Sequence, residues 1–179
     1  MLKIYTEKNK ILRTKCKDIK DISKSDIDLV KEMIEFLKLS QDEKYAKKNH
    51  VEAGIGLAAP QIGVDSRFFA IYLVDADKTY EFGLINPIIE RTSVKQVYLS
   101  SGEGCLSVPK SHDGYVMRYY KVVISGFEVL TNQKQTYTLF GYPAIAVQHE
   151  MDHLDGILYY DRIDANDPYK VALGANQID

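Results

Sequence analysis

The sequence predicts a single α+β domain spanning residues 1–179, on three observations. The length corresponds to about one domain. Five runs rich in β-branched and aromatic residues crowd between residues 67 and 140. A helical pattern stands on either side of them.

The first helix is expected to start at Ser25 as N-cap, since Ile27, Val30, Met33, Ile34 and Leu37 recur at spacings of three and four and form one apolar stripe. Gln41 to Glu52 is polar and lysine-rich and reads as a solvated loop. Gly54 to Gly63, GIGLAAPQIG, mixes three Gly and a Pro with apolar residues, which suits a tightly packed extended segment and turn. The strand-like runs are Arg67–Val74, Tyr80–Asn86, Val97–Ser101, Val116–Glu128 and Gln135–Phe140, with Thr131-Asn132-Gln133 as a hairpin turn. Pro143 near position N1 opens the second helix, which runs to about Asp155 with Gly156 just past its end. From Asp161 onward, Arg162 and Lys170 stand against Asp161, Asp164, Asp167 and Asp179, so the tail is not a basic extension.

Composition narrows the function. Lys plus Arg number 23 against 25 Asp plus Glu, a net charge of −2, which argues against wholesale nucleic-acid or membrane-surface binding. No apolar run approaches the roughly 20 residues that span a bilayer. The N-terminus lacks the apolar stretch of a signal peptide, so the expected compartment is the cytoplasm. Two Cys, Cys16 and Cys105, are too few for a disulfide scaffold and read as reduced thiols.

The second helix carries His149-Glu150-Met151-Asp152-His153. Two His four residues apart share one helical face, so both imidazoles can reach one metal. Glu150, beside the first, is placed to act as general base on water whose pKa a metal lowers toward ~7. The third ligand is less constrained. No His or Glu follows His153, which leaves Asp161, Asp164 and Asp167 downstream or Cys105 upstream; a thiolate with two imidazoles would keep a fourth position open. The backbone of Gly54, Ile55 and Gly56 could pair with a short peptide as an added strand. Asp152 and Arg118 are candidates for a pair that orients the metal helix. His50 and His112, in polar stretches, are expected in surface loops.

Three segments together, GIGLAAPQIG at 54–63, EGCLSVP at 103–109 and QHEMDHLDG at 148–156, resemble the signature motifs of bacterial peptide deformylases in the same order. The polar insertion before the first motif and GYVMR at 114–118 are similar to the type 2 branch. The resemblance implies antiparallel sheets packed around a central metal-binding helix, with an additional N-terminal helix. It implies hydrolytic removal of the formyl group from the N-terminal formyl-methionine of newly synthesised proteins. Carried over by position, Cys105, His149 and His153 would be metal ligands and Glu150 the acid/base. Gln61 and the Leu106 N–H would donate to the formyl oxygen. Ile55, Tyr142, Ile145 and His149 would line a methionine pocket. The implied cofactor is one divalent ion, Fe(II) in the cell, with Zn, Ni or Co able to substitute. The implied partner is a formyl-methionyl nascent peptide; the basic helix with which some deformylases dock on the ribosome has no counterpart in this tail. Two competing readings remain: an endopeptidase of the HExxH kind with a carboxylate third ligand, and a non-enzymatic binder of chain ends.

Overall fold

A computed structural model describes residues 2–178. The N-terminal helix, α1 (Lys24–Ser40), begins two residues earlier than the Ser25 cap implied. Ser23 is the cap because Asp26, three residues on, returns the bond: the Ser23 hydroxyl accepts from the Asp26 N–H and the Asp26 carboxylate accepts from the Ser23 N–H at 2.9 Å. Val30, Met33, Ile34 and Leu37 are buried, each contributing about 1.5–3 kcal/mol of transfer free energy. The segment read as a loop contains a second short helix, α2 (Glu43–Asn49), capped by the Asp42 carboxylate. None of its residues is buried, so no apolar stripe marks it; the cap and good helix formers are enough.

The large sheet comprises β1 (Gly56–Ala58), β2 (Phe68–Asp75), β3 (Lys78–Thr92), β6 (Lys121–Glu128) and β7 (Gln133–Phe140), antiparallel in the order β1-β2-β3-β6-β7. The small sheet takes β4 (Gln96–Leu99) between β5 (Arg118–Tyr119) and β8 (Asn176–Ile178). Other strand ends shift by one or two residues, and Gln133, expected in the hairpin turn, opens β7; three departures from the sequence pattern are larger. β3 continues past Asn86 to Thr92, with a register shift that accommodates Pro87; Asn86 takes a φ of 51° and its side-chain amide bonds both backbone groups of Ile19. The run Val116–Glu128 divides at Tyr120, because β5 belongs to the small sheet and β6 to the large one. The tail returns as β8, which pairs parallel with β4.

Helix α3 (Gly141–Leu154) starts at Gly141, two residues before Pro143, and Gly156 beyond it adopts a φ of 74°. Eleven of its 14 residues are buried, so it is the central helix of the fold, apolar around most of its circumference. Ala144, Val147, Met151 and Leu154 join the α1 stripe and the inner face of the large sheet in one core. Gln148 ties α3 to β5 by bonding both backbone groups of Tyr119 at 2.9 Å. A smaller apolar cluster of Leu12, Val108, Val116, Leu158 and Tyr159 supports the loop between β4 and β5. No helix among the described residues is long and apolar enough to cross a membrane.

Candidate active site and metal centre

On α3, His149 and His153 stand one turn apart with ring centroids 4.9 Å from each other. The β4–β5 loop brings Cys105 to them, its Sγ 3.2 Å from His153 Nε2. One donor atom each from Cys105, His149 and His153 lies within 4.8 Å of the other two, the only such cluster of three among the described residues. The loop is held by the Glu7 N–H on the Ser107 carbonyl and by Val108 in the small core, and the Ser107 N–H points at the thiol at 3.4 Å. The alternative aspartates lie elsewhere: Asp161 binds Arg13 and the Leu158 N–H, and Asp164 pairs with Lys170.

Behind the cluster runs a buried ionic chain. His149 Nδ1 is 2.8 Å from Glu103 Oε2. Arg118 clamps Glu103 with two bonds, at 2.8 and 2.9 Å, and reaches Asp152 with its third nitrogen. Arg162 forks onto the same Asp152. The Arg118–Asp152 pair matches the sequence expectation, and the structure adds Glu103 and Arg162 to it. Glu103 sits two residues before Cys105 in the same motif, and that proximity was the available signal. A carboxylate on Nδ1 fixes the tautomer and leaves the Nε2 lone pair for the cluster.

Electrostatics follow from burial and these partners. Burial would raise the Glu103 pKa, but the Arg118 charge and bonds outweigh it and bring it to about 2. Burial also favours a neutral His149, yet Cys105 and Glu103 hold its pKa well above the usual imidazole range. His153 is driven the other way by burial and by the neighbouring positive groups, so it is a neutral imidazole. Burial lifts Glu150 to about 7, against the pull of His149. The three-donor cluster sits beside a Glu103 carboxylate that Arg118 holds ionised. Its donor set, one sulfur and two imidazole nitrogens, fits a divalent transition metal.

These groups face a cavity of about 440 Å³ lined by Gly54, Ile55, Gly56, Leu106, Tyr142 and Ile145, with Gln61, Cys105, His149 and Glu150 in its wall. Gln61 occupies the short turn after β1 and is 1% exposed. Its Oε1 accepts from the Ala58 N–H at 2.7 Å, which turns Nε2 toward Ser107 Oγ, at 3.2 Å, and the Cys105 sulfur. Glu150 is 4% exposed, and its Oε2 has no hydrogen-bond partner among the described residues. Gly56 lies against it: a Cβ there would stand 2.7 Å from the Glu150 carboxyl carbon and 3.0 Å from its Cγ. Gly54 has both backbone groups engaged, its N–H by Ser40 Oγ and its carbonyl by Gln41 Nε2. His50 and His112 are exposed and outside the three-donor cluster, while Cys16 is buried in the main core, its pKa pushed up to about 11 by burial and Asp65.

Comparison with known proteins agrees with this architecture. A family model described as Polypeptide deformylase matches residues 1–169. The chain is 46% identical to a peptide deformylase of Oceanobacillus iheyensis, over 88% of this chain and 86% of that one. It is 45% identical to peptide deformylase 2 of Geobacillus stearothermophilus, over 86% and 83%. The crystal structure of peptide deformylase from Thermotoga maritima is similar with a TM-score of 0.71 and 28% identity, covering 92% of this chain and 98% of that one. The chain therefore belongs to the polypeptide deformylase family, metal-dependent hydrolases that remove the formyl group from the N-terminal formyl-methionine of newly made proteins.

Proposed function

We propose that the chain acts as one catalytic domain in which Cys105, His149 and His153 hold a single divalent ion, Fe(II) in the cell, and Glu150 moves the protons of deformylation. The observation that carries this is the convergence of those three donors, Glu150 and Gln61 on one cavity. When bound, the ion supplies Lewis acidity and makes water a nucleophile near neutral pH. Glu150 takes a proton from the water that attacks the formyl carbon. It later passes one to the amine nitrogen as the C–N bond breaks, giving formate and a free N-terminus. Gln61 Nε2 and the Leu106 N–H donate to the formyl oxygen as its negative charge grows, each worth about 2.7–4 kcal/mol where such donors are preorganised.

The substrate is a formyl-methionyl nascent peptide in the cytoplasm. Its backbone runs along Ile55 and Gly56 at the β1 edge, the N–H and carbonyl of Gly54 being engaged by Ser40 and Gln41, and its methionine side chain packs against Tyr142 and Ile145. The tail is engaged in the small sheet as β8, and ribosome contact is no part of this reading.

The deciding assay measures formate release from a formyl-methionyl tripeptide by protein purified without oxygen, together with its metal content. One iron per chain and release of formate are expected, with activity falling in air as iron or Cys105 oxidises. Cleavage of internal peptide bonds without formate would contradict the proposal.

Gly56→Ala tests the fit around Glu150. The added methyl must displace the carboxylate, and a shift of about 1 Å at a reacting group costs on the order of 10²-fold. A fall of about that size in kcat, with the fold and metal content retained, is expected from steady-state kinetics and elemental analysis.

A further inference from the structure

Tyr159 takes no part in the chemistry above, yet it touches two parts of the site. It follows α3 in the short turn Tyr159–Arg162, is 1% exposed and lines the cavity. Its ring lies nearly parallel to that of His149, 20° between planes with centroids 6.1 Å apart. Its hydroxyl accepts the backbone N–H of His112 at 3.0 Å. The next residue, Tyr160, stacks on the His112 ring at 4.2 Å and is itself anchored by donating its hydroxyl proton to Glu7 at 2.8 Å. Two consecutive tyrosines therefore grip one residue of an otherwise exposed stretch, 109–113. Pro109 and Ser111 of that stretch line the same cavity as His149 and Glu150. Farther along, the Tyr115 N–H bonds the Pro168 carbonyl at 2.8 Å, so the grip acts on a segment whose far end is also fixed.

Resting on the assignment of this cavity as the peptide site, we propose that Tyr159 is a positioning residue for substrate: its hydroxyl holds residues 109–113 as an outer wall of the peptide groove. The wall contacts substrate in the ground state and in the transition state alike, so the hydroxyl serves uniform binding and not the chemical step. A peptide meeting a loosened wall must order it on binding, which weakens apparent affinity.

Tyr159→Phe removes one oxygen and keeps the ring on His149. His112→Ala removes the ring held by Tyr160 and keeps the N–H held by Tyr159. Both variants are compared with the metal-loaded wild-type protein by amide hydrogen exchange over residues 110–114 and by kinetics on a formyl-methionyl tripeptide. For Tyr159→Phe, faster exchange in that segment and a KM raised about 3- to 10-fold are expected, with kcat within about twofold and metal content unchanged. His112→Ala should move both readouts in the same direction by a smaller factor. Unchanged exchange in Tyr159→Phe, or a kcat loss at constant KM, would overturn the proposal. Faster exchange at an unchanged KM would overturn the link to substrate even though the grip is real. Absence of formate release from the wild-type protein would overturn the peptide-site assignment and this inference with it.

Discussion

Glu150→Gln is expected to lower kcat for formate release by about 10²–10⁴-fold, the range that a positioned general acid–base group contributes. The substitution changes little in size, and Glu150 is not one of the three clustered donors, so metal content should match that of the wild type. Its carboxylate is buried, with Gly56 leaving room beside it. A glutamine in that place keeps the contact and cannot accept a proton. KM should change little, because in the proposed reaction Glu150 acts on the water and the leaving amine and not on the peptide as a whole. An undiminished kcat in the variant would remove Glu150 from the mechanism.

The largest effect on stability is expected at Arg118. Its guanidinium is 3% exposed and neutralises Glu103, itself 4% exposed, while sharing Asp152 with Arg162. Arg118→Met fills most of the space and leaves Glu103 buried without its countercharge. Breaking a buried pair from one side costs about 3–5 kcal/mol. For a domain of this size that is a fall in Tm of roughly 6–20 °C. Asp152 keeps Arg162, so most of the penalty falls on Glu103. Glu103 also orients His149, and metal affinity should drop by about 10–100-fold alongside. Urea unfolding and metal retention of the loaded protein measure the two effects. A stability loss below about 1 kcal/mol would mean that Glu103 does not depend on Arg118.

What could be read in advance depended on how local each feature is. The His149–His153 pair follows from helical spacing alone, and the α1 stripe from its periodicity. The third donor was different: spacing left Cys105 level with Asp161, Asp164 and Asp167, and only the family motif around Cys105 separated them. The contact of Glu103 with His149 joins residues 46 apart, and nothing in either local pattern announces it. The α2 helix escaped detection because it buries no face. The break at Tyr120 did so because β propensity says that a segment is extended and not which sheet it joins. The parallel pairing of β8 with β4 depends on a three-residue strand whose sequence, Asn-Gln-Ile, has no strand pattern to read.

The most direct measurement of the metal assignment is X-ray absorption at the metal edge of the loaded wild-type protein. One sulfur scatterer is expected, near ~2.3 Å if the ion is zinc, together with two imidazole nitrogens at ~2.0–2.1 Å. Those are the donors that Cys105, His149 and His153 present in one cluster. A coordination shell of nitrogen and oxygen alone, with no sulfur, would contradict the centre as assigned.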